Sequence, residues 1–128
     1  MRALVVDDSR TMRTLLSRIL VGMGFEVSQA GDGQEALDAV AAMEADGTLP
    51  DVCLIDWNMP VMTGLEFVVA VRANPAWRDI NLMMVTTESE HGQIVRALAA
   101  GAHEYLIKPF PPEAIEEKLQ LLGLVPVS

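Results

Sequence analysis

Short apolar runs alternate along the chain with stretches in which apolar residues recur every three or four positions. Residues 3–6 form the first run, and Asp7-Asp8-Ser9 follow it. Ser9 is a plausible N-cap, and Met12, Leu15, Leu16, Ile19 and Leu20 then recur at helical spacing until Gly22 and Gly24. Residues 25–29 are a weaker strand candidate. Asp32-Gly33-Gln34-Glu35 resembles a capping box, and its helix carries Ala36, Leu37, Val40 and Ala41 on one side. Val52-Cys53-Leu54-Ile55 is an uninterrupted apolar run, as expected of a strand buried on both faces. Thr63-Gly64-Leu65-Glu66 is a second box, with Leu65, Val68 and Val69 as the apolar face behind it. Residues 80–85 form the fourth strand, and a fourth helix with Ile94 and Leu98 spans about residues 90–100, stopped by Gly101. Residues 104–107 form a fifth strand. After Lys108-Pro109-Phe110, residues 112–122 form a last helix with Ile115, Leu119 and Leu122 inward.

Strand followed by helix, five times over, predicts right-handed crossovers and a doubly wound five-stranded parallel sheet covered on both faces. The class is α/β, and the 128 residues suffice for one domain with nothing left for a second. No apolar stretch approaches the roughly 20 residues that span a bilayer, and Asp7-Asp8 end the first apolar run too early for a signal peptide. A cytoplasmic protein is expected. The formal charge of −9 argues against nucleic acid and an anionic membrane as partners. Cys53, the single cysteine, lies inside the central strand and reads as an inert buried side chain.

Chemistry gathers where the strands end. In open α/β sheets ligands bind outside the carboxyl ends of the strands. There the first strand delivers Asp7-Asp8, the third Asp56, the fourth Thr86 and the fifth Lys108, one of only two lysines. Singly, each has an ordinary reading: a helix cap, a turn aspartate before Pro60, a strand-end hydroxyl, a solvated lysine. Together they are harder to obtain by accident. Two like charges about 4 Å apart cost about 4 kcal/mol at an effective dielectric near 20, so three carboxylates call for cationic company. Lys108 offsets one charge. A hard divalent ion such as Mg²⁺ offsets more, and typically takes carboxylates, waters and a phosphoryl oxygen. That combination points to phosphoryl transfer with one carboxylate as nucleophile, and Asp56 on the central strand is best placed.

Four ordered motifs then resemble the receiver domains of two-component response regulators, the CheY-like single-domain ones in particular. They are Val5-Val6-Asp7-Asp8-Ser9, Asp56-Trp57-Asn58-Met59-Pro60 with Gly64, Met84-Val85-Thr86, and Lys108-Pro109-Phe110. The resemblance covers essentially the whole chain and implies a flavodoxin-like (βα)5 fold of strand order 2-1-3-4-5 over residues 1–128. It implies that Asp56 accepts a phosphoryl group from a sensor histidine kinase or a phosphotransfer protein. Mg²⁺ would be held by the Asp8 and Asp56 side chains, by the Asn58 carbonyl, and by Asp7 mostly through water. Thr86 would hydrogen-bond the phosphoryl group, Lys108 would pair with it, and Lys108-Pro109 would be a cis peptide. Thr86 moving inward would let Tyr105 swing from exposed to buried, changing the surface of the fourth helix, fifth strand and fifth helix that a downstream target protein reads. The protein would be a self-phosphorylating and self-dephosphorylating switch rather than an enzyme acting on others.

Departures from that pattern set further expectations. Thr87 stands where the family usually has a small residue and would narrow access to Asp56. Asn58 and Glu88 occupy positions that orient the hydrolytic water, so fast turnover of the acyl phosphate is expected. Pro111 replaces a Ser or Thr cap. Ser89-Glu90-His91 stands where motor-binding members carry lysines, which puts a flagellar target in doubt although a chemotaxis role remains open. The alternatives are a shuttle that hands its phosphoryl group to a histidine phosphotransfer protein and a metal-dependent phosphatase. The phosphatase would need a second acid where Asn58 stands. A flavin-binding flavodoxin is disfavoured because Asp7-Asp8 would repel its phosphate.

Overall fold

A computed structural model describes residues 1–124. The elements run β1 (Arg2–Val6), α1 (Arg10–Gly22), β2 (Glu26–Ala30), α2 (Gly33–Asp46), β3 (Val52–Ile55), α3 (Gly64–Ala73), β4 (Asn81–Thr86), α4 (His91–Ala100), β5 (Glu104–Ile107) and α5 (Pro112–Leu121), with one 3-10 turn at Pro75–Trp77. All four strand pairings are parallel and the sheet order is β2-β1-β3-β4-β5, as expected. The register sets Val6 beside Ile55 and Ile55 beside Met84, so the first and third strands end level with one another while the fourth runs two residues further, to Thr86.

Alternation along the three inner strands builds two cores. Leu4, Val6, Cys53, Ile55, Leu82 and Met84 face one way and meet Ala36 and Val40 of α2, Phe67, Val68 and Val71 of α3, and Ala97 of α4. Ala3, Val5, Val52, Leu54, Met83 and Val85 face the other way and meet Leu16 and Leu20 of α1 and Ile115 and Leu119 of α5. A period of two on strands buried from both sides requires this division.

Several helical faces differ from those expected. Ala41 is exposed and Met43 packs on the core instead, because position 43 lies one turn beyond the buried Val40. Val69 is 53% exposed, and Phe67 and Val71 complete the face with Val68. Leu15 and Leu98 also reach solvent. Asp32 caps α2 by accepting from the Glu35 N–H at 2.8 Å, but the reciprocal bond forms only in the Thr63/Glu66 box.

Candidate phosphoryl and metal site

Each loop at the carboxyl edge of the sheet is pinned before it presents its side chain. The Asp7 N–H donates to Ala30 O at 3.1 Å and the Asp56 N–H to Val6 O at 2.9 Å, carrying both residues one step past their strands. Ser9 caps α1 through its hydroxyl, at 3.2 Å from the Met12 nitrogen, and its own N–H donates to Asp7 Oδ1 at 2.8 Å. The start of α3 presses directly on Asp56: Gly64 N–H donates to Trp57 O at 2.8 Å, and a Cβ at Gly64 would overlap the Asp56 carbonyl. Glycine is therefore required there by the close approach of two backbones. The Lys108–Pro109 peptide is cis, and the Lys108 N–H donates to Thr86 O at 2.9 Å.

The three aspartates expected at this edge do come together. Asp7, Asp8 and Asp56 offer carboxylate oxygens that all lie within 4.8 Å of one another. Asp7 is 1% exposed, Asp56 9% and Thr86 0%, whereas Asp8 is exposed. Lys108 Nζ lies 2.8 Å from Asp7 Oδ2 and 3.7 Å from Asp56 Oδ2, so one ammonium serves two carboxylates. Burial pushes the Asp56 carboxyl above its ordinary value, opposed by the Thr86 hydroxyl and Lys108 and reinforced by Asp7. Among the described residues Asp8 has no hydrogen-bond or ion-pair partner, and none donates to the Asn58 carbonyl. The donor set therefore fits a hard divalent cation: it is all oxygen, two charges in excess of its one lysine, and includes groups with nothing else to bind.

The remaining expected residues lie beside this centre. Thr86 Oγ1 is 3.3 Å from the Glu88 nitrogen and accepts its proton. Tyr105 is half-buried, and its hydroxyl donates to the Glu88 carbonyl at 2.6 Å. Glu88 thus joins the hydroxyl of Thr86 to that of Tyr105 through its own backbone. Burial and the nearby Glu88 and Asp56 push the Tyr105 phenol up to about 12, so it stays a donor. Thr87 and Asn58 are exposed at the rim, and Trp57 is buried beside Asp56.

Sequence reasoning missed Arg13, which comes from α1 to donate to the Asp7 carbonyl at 2.6 Å. It also missed the constraint on Val61, which sits at φ 70° in the loop after Asp56. An arginine one turn past a helix cap carries no signal of where it will reach.

The family description "Response regulator receiver domain" matches residues 3–120. Chemotaxis protein CheY1 of Helicobacter pylori is 42% identical over 123 residues, covering 95% of this chain and 96% of that protein. A chemotaxis protein CheY homolog of Campylobacter jejuni is 42% identical over 121 residues, covering 94% and 90%. Among solved structures, the chemotaxis protein CheY4 of Vibrio cholerae aligns with a TM-score of 0.82 at 41% identity, covering 94% of this chain and 96% of that one. Fold, strand order and the match across most of the chain agree: this protein belongs to the response regulator receiver family of two-component signalling.

Proposed function

We propose that Asp56 is the phosphoacceptor of a chemotaxis-type switch and that the carboxyl edge of the sheet is its whole reaction centre. The supporting observation is the convergence of three carboxylates, two of them paired with a single lysine, with Thr86 buried beside Asp56. In the reaction an Asp56 carboxylate oxygen attacks phosphorus, the P–N bond of a partner's phosphohistidine breaks, and the imidazole leaves with a proton. Asp8, Asp56 and the Asn58 carbonyl would hold Mg²⁺. Asp7, whose two oxygens already accept from Ser9 and Lys108, would act through water. When bound, the cation draws charge from the phosphoryl oxygens. Lys108 and the Thr86 hydroxyl take the oxygens that remain.

The output follows from Glu88. Its N–H is held by Thr86 and its carbonyl by Tyr105. A Thr86 hydroxyl drawn to a phosphoryl group on Asp56 releases that N–H, and the Glu88 backbone carries the change to Tyr105 and the α4–β5–α5 face. A target protein reads that face, and a histidine kinase or phosphotransfer protein supplies the phosphoryl group. Receivers named as chemotaxis proteins in Helicobacter, Campylobacter and Vibrio support the chemotaxis assignment. Glu90 and His91, exposed at the start of α4, select a target unlike one that meets lysines there.

Beryllofluoride with Mg²⁺, followed by tryptophan fluorescence, tests this reading. Trp57 adjoins Asp56, while Trp77 is bonded to Glu44 at 2.7 Å and gives a constant background. A saturable, Mg²⁺-dependent change is expected in the wild type and none in Asp56→Asn. Equal responses in both would refute the assignment.

A further inference from the structure

Asp8 is the least supported member of the acidic cluster: it is exposed, and its side chain has no partner among the described residues. Its direction depends on the peptide plane joining it to Asp7. That plane's carbonyl accepts from Arg13 Nη1 at 2.6 Å. The guanidinium is in turn fixed from its other side, since Nε donates to Gln29 Oε1 at 3.2 Å and Gln29 Nε2 donates to Ser17 Oγ at 3.0 Å. A chain of three hydrogen bonds thus runs from the middle of α1, across the edge strand β2, and back to the loop that bears the acids.

We infer that Arg13 is a positioning residue for metal binding, holding the Asp7–Asp8 peptide so that the otherwise unsupported Asp8 carboxylate faces Asp56. This rests on the reading of the three aspartates as the Mg²⁺ site. Asp7 itself stays anchored without Arg13, through Ala30, Ser9 and Lys108. The consequence of losing Arg13 falls on Asp8, whose side chain has no partner among the described residues and takes its direction from that plane. Hydrogen bonds behind a metal ligand commonly matter this much, because they fix the ligand's orientation before the ion arrives.

Charge and geometry predict opposite outcomes. A guanidinium near the site repels a cation, so its charge alone would make Arg13→Ala bind Mg²⁺ more tightly. Positioning makes the same variant bind less tightly.

Calorimetric titration of the intact protein with MgCl₂ separates the two. Arg13→Ala and the charge-preserving Arg13→Lys are expected to weaken Mg²⁺ binding roughly tenfold. Gln29→Ala, which frees only one side of the guanidinium, should weaken it less and in the same direction. Arg10→Ala removes an exposed arginine whose side chain makes no hydrogen bond among the described residues, and should not weaken binding. The rate of phosphorylation by acetyl phosphate should be slow at low Mg²⁺ in the Arg13 variants and return to the wild-type rate when Mg²⁺ saturates, a split that general destabilisation would not produce. Unchanged or tighter binding in Arg13→Ala, or wild-type binding in Arg13→Lys, overturns the inference. If Arg13→Ala does not fold, unaltered binding in Gln29→Ala and Arg13→Lys has the same force. A wild type that binds no Mg²⁺ overturns the underlying reading as well.

Discussion

Val61 and Gly64 lie a few residues after Asp56 and meet opposite backbone demands. Met62 N–H donates to Pro60 O at 2.7 Å, closing a γ-turn whose central residue, Val61, has φ 70°. A β-branched residue is strained there, and its side chain is 79% exposed, so packing returns little. Asparagine tolerates positive φ better. Val61→Asn should therefore raise stability by about 1 kcal/mol, read as a higher urea midpoint with an unchanged slope. Gly64 is the reverse case, a position with ordinary φ where any Cβ meets the Asp56 carbonyl. Gly64→Ala should cost about 1–3 kcal/mol through forced backbone movement, and that movement would displace Asp56 itself. A Gly64→Ala variant as stable as wild type would contradict the close approach.

Helices α4 and α5 differ from the others in how they begin. Glu90 and Pro111 occupy their N-cap positions and neither makes a side-chain cap bond, whereas Ser9, Asp32 and Thr63 all cap theirs. Ala97 is the only residue that α4 fully buries. A helix with few buried contacts and free N–H groups opens at low cost, which suits the surface change proposed for this element. Glu90→Ser should stabilise α4 by about 0.5–2 kcal/mol, measured as slower amide exchange confined to that helix. At its other end α4 is tied down. Arg72 of α3 donates to the carbonyls of Gly101 at 3.0 Å, Arg78 at 3.1 Å and Ile80 at 2.8 Å, and to His103 Nδ1 at 3.2 Å. The same Nδ1 lies 3.2 Å from the Leu82 N–H, so the imidazole must be neutral there with its proton on Nε2.

Burial first, and then the Arg72 guanidinium, hold His103 below its ordinary value of 6.5. The unfolded chain therefore takes up a proton at a pH where the folded one does not. This contribution to stability is complete above about 6.5 and is lost as pH falls through that value towards the lower folded pKa. Urea titrations across this range should show His103→Gln with a shallower loss of stability on acidification than wild type. Identical slopes would exclude the imidazole as the source.

Across the whole molecule the two edges of the sheet do different work. The carboxyl edge gathers the acids, Lys108 and Thr86, while the opposite edge carries the Arg72–His103 tie that fixes where α4 meets β5. The carboxyl edge was legible in the sequence because strand ends are local: an apolar run stops and the next side chain necessarily stands at the rim. A parallel sheet covered on both faces followed from the same runs, whereas the strand order came from the family resemblance. Helical faces were read less well, since α2 and α3 are rich in alanine and valine and the sequence does not say which of several small apolar residues turns inward. Ala41 and Val69 were misplaced for that reason. Arg13 and Arg72 were invisible because each acts on carbonyls of other elements, and backbone acceptors have no residue type.

The central claim, that Asp56 carries the phosphoryl group, is tested most directly by trapping the product. After incubation with acetyl phosphate and Mg²⁺, borohydride reduces an aspartyl phosphate to homoserine, which peptide mass spectrometry locates by residue. Homoserine at position 56, dependent on Mg²⁺ and absent when phosphodonor is omitted, is the predicted result. Homoserine at Asp7 or Asp8 with Asp56 intact would contradict the account.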